Sequence, residues 1–179
     1  MIYGDGIRLR APEQSDLENF VRWLNDPDVV AGLQIYTPLS LLEEQAWFEN
    51  MLKNHPAEHP MVIEIKQDGE WRPVGNCGVH QIDWRIRSAE LGIFIGEKSF
   101  WNQGIGTQVM KLLLRFGFNN LNLNRIALDV YDSNPRAIRT YEKAGFVLEG
   151  RKRQATYRNG KYSDVLIMSV LRSEWQEEK

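Results

Sequence analysis

Residues 100 to 118 read FWNQGIGTQVMKLLLRFGF, and two positions in that run carry no side chain. Gly104 and Gly106 stand where a strand-like apolar run gives way to helical spacing, with Val109, Leu112, Leu113 and Phe116 at i, i+3, i+4 and i+7. The glycines therefore fall in or just before the first turn of a helix, where backbone N–H groups have no intrahelical partner. The chemistry such a segment offers is anion binding. Free N–H groups and the positive end of the helix dipole attract phosphate, and missing side chains let it approach. A bare Gly-x-Gly also makes an ordinary tight turn, so the flanking sequence has to decide.

Two familiar phosphate sites do not fit. A nucleoside-triphosphate loop needs Lys then Ser/Thr after its second glycine, and Gly106 is followed by Thr107 and Gln108. A dinucleotide fingerprint wants a third small residue where Val109 stands. Other reactive residues are scattered. Cys77 and His80, three apart on a strand, point to opposite faces and form no nucleophile pair. His55 and His59 have helical spacing, but Pro56 and Pro60 exclude a regular helix, so no metal pair is expected. The basic stretch 150–162 (GRKRQATYRNGKY) reads as a solvated hairpin, as a nucleic-acid patch, or as an acceptor wall favouring an acidic partner.

The elements that would position these residues are legible. GIRLRAP (6–12) is a short strand ended by Pro12. Residues 13–24 are helical through Leu17, Phe20, Val21 and Leu24, and 25–38 are loop-rich. A second helix spans 41–52, with Trp47, Phe48, Met51 and Leu52 as its apolar side. From Met61 the period becomes two. MVIEI, PVGNCGVHQIDW and AELGIFI form an antiparallel meander, followed by the glycine helix (104–118) and the strand RIALDVY. SNPRAIRTYEKAG (133–145) is a helix with Ser133 or Asn134 as N-cap, Pro135 at N1 and Gly145 at C′. Two closing strands flank an Asn159-Gly160 turn. The order gives a mixed α/β fold, residues 1–179 as a single domain.

Composition narrows the function classes. The chain has 179 residues, 42% hydrophobic and 11% aromatic, which is ordinary globular composition. A net charge of −2 and a pI of about 6.0 give no reason to expect nucleic acid or an anionic membrane as partner. No run reaches the length needed to span a bilayer, and the start lacks the pattern of a secretory signal. A single cysteine fits a reducing compartment, so the cytoplasm is expected.

Three blocks in order resemble the GNAT (Gcn5-related N-acetyltransferase) superfamily, and within it the RimJ/RimL-like branch. Trp101-Asn102-Gln103-Gly104-Ile105-Gly106 resembles its Gln/Arg-x-x-Gly-x-Gly/Ala pyrophosphate loop, with an aromatic at the first position as that branch often has. AELGIFIGEKSFWNQGIG resembles the strand leading into that loop. DSNPRAIRTYEKAGFVLEG resembles the Asn-x-x-Ala-x-x-x-Tyr-x-x-x-Gly-Phe helix, and the ending RNGKYSDVLIMSVLRSEW is also similar to that branch. With the weaker start GIRLRAPEQSD, the resemblance covers nearly the whole chain.

The resemblance implies a central, mostly antiparallel mixed sheet flanked by helices, with the family's fourth and fifth strands splayed apart at the site. It implies acetyl-CoA as co-substrate, no metal, and an amine acceptor. Asn102, Gln103, Gly104, Ile105, Gly106 and Thr107 would cradle the pyrophosphate through their main chain. Backbone of Phe94, Ile95 and Gly96 would pair with the pantetheine amides and polarise the thioester carbonyl. Asn134 would cap its helix, touch the pantetheine arm, or both. Tyr141 corresponds to the family's general acid for the departing thiolate. An amine is charged at neutral pH and must lose a proton before attack, so a base is also needed. Glu90 stands where some members carry a Glu acting through water, with His80 or water alone as alternatives. Tyr36, Trp84 and Tyr157 are the expected acceptor walls. The reading is an acetyl-CoA-dependent N-acetyltransferase working on a protein N-terminus, a polyamine or another small amine, and a homodimer fits the branch. The alternative is a non-catalytic acyl-CoA-binding module on the same fold.

Overall fold

The computed structural model describes residues 1–177. One sheet holds β1 (Ile2–Tyr3), β2 (Ile7–Arg10), β3 (Met61–Gln67), β4 (Glu70–Asp83), β5 (Ser88–Ile95), β6 (Arg125–Tyr131), β7 (Val147–Arg158) and β8 (Lys161–Leu171). Their order across the sheet is β1-β2-β3-β4-β5-β6-β8-β7, and every neighbouring pair except β5–β6 is antiparallel. This is the mostly antiparallel mixed sheet expected. Two hairpins turn where the sequence allows a positive φ twice in succession, at Asp68-Gly69 (53° and 85°) and Asn159-Gly160 (51° and 79°).

The parallel pair is the feature that makes a site. β5 and β6 stay in register only from Ser88↔Arg125 to Glu90↔Ala127. Beyond Glu90, β5 follows β4 as far as Ile95, while β6 follows β8 as far as Tyr131. The sheet therefore forks, with Glu90 at the vertex. The two-residue β1, which composition and period do not reveal, makes the forked pair the fifth and sixth strands here instead of the fourth and fifth.

Helices cover both faces. α1 (Leu17–Leu24) and the single turn α2 (Pro27–Val30) contribute Leu17, Phe20, Trp23 and Val29 to a cluster with Val62, against which Phe94 and, from α3 (Leu41–Met51), Phe48 pack. α4 (Ile105–Arg115) and α5 (Pro135–Ala144) lie on the main core, where Val109, Met110, Leu113 and Leu114 meet Ala89, Leu91, Ile126, Leu128 and Val130. None of the described helices is long and apolar enough to cross a membrane.

Three expectations need correction. Trp23, 1% exposed, replaces Val21 and Leu24 at the centre of the α1 face. Its indole occupies the space that a Cβ on Gly96 would fill, a contact invisible to helical spacing. The expected apolar side of α3 is only half covered: Met51 is buried and Phe48 packs on the α1 cluster, but Leu52 is 59% and Trp47 37% exposed while Glu44 is buried. α3 docks on α1 through few side chains, including Trp47 edge-on to Phe20 at 6.0 Å, so most of its surface faces outward. The glycine helix ends at Arg115 and continues as a wider π turn over Phe116–Asn120, not as α-helix to 118.

Candidate active site

The glycine loop has a backbone suited to an anion. Gly104 is the N-cap of α4 with φ +80°, and Asn102 before it has φ +61°, so the chain curls and turns successive N–H groups to one side. Gly106 serves a different end. A Cβ there would lie 3.2 Å from the Cγ2 of Thr140, so the missing side chain lets the first turn of α4 close on α5. Asn102, Gly104, Ile105, Gly106 and Thr107 line a cleft of about 760 Å³, within the range of ligand pockets. Gln103 is turned away and donates its amide to the Ser99 carbonyl at 2.7 Å.

Sequence reading missed the positive flank of this cradle. Arg136, Arg139 and Lys143 follow one another at i, i+3 and i+7 along α5 and line the same cleft. That spacing was present in RAIRTYEK and could have been read. Arg136 stacks over Trp101 with its guanidinium carbon 3.7 Å from the ring centroid. Trp101 is itself held by its indole N–H, which donates to the Ile95 carbonyl at 2.8 Å. The aromatic that departs from the common glycine-loop pattern thus joins β5 to α5. Curled N–H groups, a full helix dipole and three cations fit a pyrophosphate.

At the fork, the polar backbone differs by one residue from the expected window. The Gly96 N–H donates to the Val74 carbonyl at 2.8 Å, and Phe94 is paired with Asn76. Alternation along an antiparallel ladder then turns Phe94 and Gly96 toward β4, and Ile93 and Ile95 toward the gap beside β6. Ile93, Phe94 and Ile95 all line the cleft, but the Phe94 ring packs on Trp23 at 6.3 Å and Gly96 lies beneath that indole.

Across the gap, Asn134 caps α5, its Oδ1 accepting from the Ala137 N–H at 3.1 Å. Its Nδ2 faces Gly32, where a Cβ could not fit. Tyr141 lines the cleft two turns further on, its ring 6.0 Å from Phe146. Loss of solvent pushes its phenol up to about 12, so it stays protonated throughout the neutral range.

The remaining predicted residues are dispersed. Glu90 and His80 are direct cross-strand partners, and Gly92 leaves room for the imidazole, its Cβ position lying 3.4 Å from His80 Nε2. Both stand at the vertex and not on the cleft wall. Trp84 sits on the β4–β5 turn against His55, at 5.3 Å between rings, and Tyr157 pairs with Tyr162 at 4.8 Å. Neither lines the cleft. His55 and His59 bind local backbone, to Ala57 and Asn54. Cys77 is buried, and burial pushes its thiol up, which removes it as a nucleophile.

Tyr36 does not line the cleft either, but it is tied to Arg158, which does. The Tyr36 hydroxyl lies 3.4 Å from that of Tyr131, the buried last residue of β6. The hydrogen bond to Tyr131 lowers the Tyr36 phenol, while burial raises that of Tyr131. Arg158 places its guanidinium 5.0 Å from the Tyr36 ring and donates to the carbonyls of Leu33 and Ile35 at 2.8 and 2.7 Å. The solvated reading of the basic hairpin is therefore too bland. Lys152 pairs with Asp129, Arg151 with Asp132 and Asp164, and Arg158 secures the loop after α2.

Comparison with known proteins agrees with this geometry. The family described as Acetyltransferase (GNAT) domain matches residues 7–147. The chain is 28% identical over 176 residues to the uncharacterized N-acetyltransferase p20 of Bacillus licheniformis, covering 97% of each chain. It is 31% identical over 169 residues to the spermidine N(1)-acetyltransferase of Vibrio cholerae, covering 94% of this chain and 95% of that one. A crystal structure of spermidine N-acetyltransferase from Vibrio cholerae, in complex with CoA and spermine, superposes with a TM-score of 0.85 at 29% identity over 96% of this chain and 98% of that one. With a glycine-headed helix beside a forked parallel pair and a family match across most of its length, the chain belongs to the GNAT acetyltransferases, enzymes that take their acetyl group from acetyl-CoA.

Proposed function

We propose that the enzyme acetylates a primary amine by direct attack of the bound amine on the thioester, and that it belongs to the RimJ/RimL-like branch. The observation that carries this is the continuity of the cleft, from the αL glycine at the head of α4, through the fork between β5 and β6, to Tyr141 and the loop after α2. In this reading the main chain of Asn102 to Thr107 holds the pyrophosphate, with Arg136, Arg139 and Lys143 balancing its charge. The Ile93 backbone and the Ile95 N–H at the gap align the pantetheine arm and stabilise the oxyanion that develops on the carbonyl, the Ile95 carbonyl being held by Trp101. Asn134 borders the same arm.

Proton transfer involves two groups. Tyr141 keeps its proton at neutral pH and presents it to the thiolate as the C–S bond breaks. A thiol of ordinary pKa about 8.5 is the stronger acid, so Tyr141 works mainly as a hydrogen-bond donor to the forming thiolate. Glu90, at the vertex beside His80, is proposed to accept the amine's proton through water. The acceptor is a protein N-terminus, a polyamine or another small amine. The relatives named for spermidine support an amine of this kind. Residues 1–179 act as one domain, and the cytoplasm is the proposed setting.

The test is release of CoA thiol from acetyl-CoA with a panel of peptides, polyamines, amino acids and aminoglycosides. Transfer to one amine class, abolished in Gly104→Asp, is the expected result. Acetyl-CoA binding without thiol release from any of these amines would reject it.

A further inference from the structure

The fixed charges along the cleft are not symmetrical. Its two carboxylates each meet a cation, Asp129 with Lys152 at 2.7 Å and Asp28 with Lys98 at 2.9 Å, the latter shared with Asp26 at 2.7 Å. Its cations have no such partner among the described residues. Arg136, Arg139 and Lys143 lie along α5 beside the glycine loop, where a phosphate-bearing donor balances them. Arg158 and Lys161 lie elsewhere, at the part of the cleft closed by Gly32, Leu33 and the β7–β8 turn, and neither has an ion pair among the described residues.

Arg158 shows why this matters. One of its terminal nitrogens is spent on the Leu33 and Ile35 carbonyls. Its Nε–H is buried with no hydrogen-bond partner. That nitrogen is closed off from the cleft, so an acceptor would meet the guanidinium at its other terminal nitrogen, Nη1, which has no hydrogen bond among the described residues. A guanidinium fixed by two backbone carbonyls, with a donor left over, is preorganised for a carboxylate. The same end would repel a polycation, since Arg158 and Lys161 stand there without an ion pair among the described residues.

We infer that the acceptor is an amine carrying a carboxylate, seated with that carboxylate on Arg158 and with Lys161 close by, and that polyamines are poor substrates. This rests on the amine-acetyltransferase reading and narrows it. The carboxylate either belongs to a free amino acid or is the side chain of an acidic residue at a peptide N-terminus. No covalent step is added: the amine nitrogen forms the new amide bond, the thioester C–S bond breaks, and the amine's proton leaves as already described.

The experiment compares kcat/KM for free amino acids, their matched amides, peptides beginning with Asp or Glu, and spermidine, in the wild type, Arg158→Gln and Arg158→Lys. Expected is a preference of tenfold or more for the acid over its amide, carried by KM. That preference should fall to near one in Arg158→Gln and partly return in Arg158→Lys. The amide measured in each variant corrects for any loosening of the loop that Arg158 holds. Preference for acidic peptides over free amino acids would assign the protein source, and the reverse the small-molecule source. Faster turnover of spermidine than of every carboxylated amine, or an unchanged acid-to-amide ratio in Arg158→Gln, would overturn the inference. A second readout needs no turnover: binding of N-acetylated amino acids to the CoA-saturated protein. Should no amine be acetylated, the transfer reading fails alone. Binding lost in Arg158→Gln would still keep the carboxylate site, and absence of binding to the wild type would remove it.

Discussion

His80 and Glu90 face each other across the β4–β5 ladder, and Glu90 is also the last β5 residue paired with β6. A carboxylate and an imidazole thus share one face at the point where the sheet divides, with cross-strand Cβ atoms about 5 Å apart. If Glu90 relays the amine's proton through water, Glu90→Gln should lower kcat about 100-fold at pH 7, with acetyl-CoA affinity retained. His80→Gln should cost less, and if the cross-strand pair works as a unit the double variant should be no slower than Glu90→Gln. Wild-type kcat in Glu90→Gln from pH 6 to 9 would take Glu90 out of the mechanism.

Gly104 and Gly106 should fail differently when changed. Nothing lies within 4 Å of a Cβ on Gly104, but its φ of +80° strains any other residue. Gly104→Ala should therefore cost about 1 kcal/mol of stability and bind acetyl-CoA with moderate loss, whereas Gly104→Asp, with a carboxylate facing phosphate, should lose binding 100-fold or more. Gly106→Val should drive α4 away from Thr140 and lower both stability and affinity. Calorimetric titration with acetyl-CoA, alongside urea unfolding, separates the cases; equal effects of Ala and Asp at 104 would contradict an anion cradle.

Tyr141→Phe should reduce kcat about 10- to 100-fold with little change in acetyl-CoA affinity. In the role proposed for Tyr141 the active form is the protonated phenol. Since burial holds that form up to about 12, activity contributed by Tyr141 is present below that pH and lost only as pH rises through it. The alkaline limb of the kcat profile between pH 8 and 10 should consequently be the same in wild type and Tyr141→Phe. A limb near pH 9 that vanishes in the variant would mean a far more acidic phenol.

Glu44 should set part of the dependence of stability on pH. Burial pushes its carboxyl up to about 7 in the folded chain, against an ordinary value of 4.5. Between those two values the folded state binds more protons than the unfolded one, so stability falls as pH rises through the window and levels off above about 7. Glu44→Gln should flatten that slope and raise stability at pH 8 by about 1–3 kcal/mol. Urea unfolding at pH 5 and pH 8 measures it, and an unchanged slope would show that the carboxyl is not desolvated.

The parts that sequence made legible are those where one residue type answers a local demand. Asn134, Pro135 and Gly145 mark α5 because a cap oxygen, a fixed φ and a positive φ each have few suppliers. Asn159-Gly160 marks its turn, and Gly104 its helix, for the same reason. What stayed hidden depends on meetings between distant segments. Trp23 could enter the core only because Gly96 lies opposite it, and no period along α1 announces that. Arg158 gained its place from carbonyls 125 and 123 residues away. Tyr131 was legible as the end of a strand, but its partnership with Tyr36 needed the loop to fold back. Apolar periodicity misled at α3, since an amphipathic pattern shows that a helix has a greasy side without saying whether anything covers it.

Cys77 lies in β4 with 1% of its surface exposed and is the chain's one cysteine. A protein whose product is a thiol thus carries its own thiol where no aqueous dye can reach it. In a colour assay for released CoA, the folded enzyme contributes no blank, and a slow drift in the protein without acetyl-CoA counts molecules that have opened their core. The same cysteine turns that blank into a record of conformational integrity, so a variant that is inactive can be told apart from one that is unfolding in the cuvette.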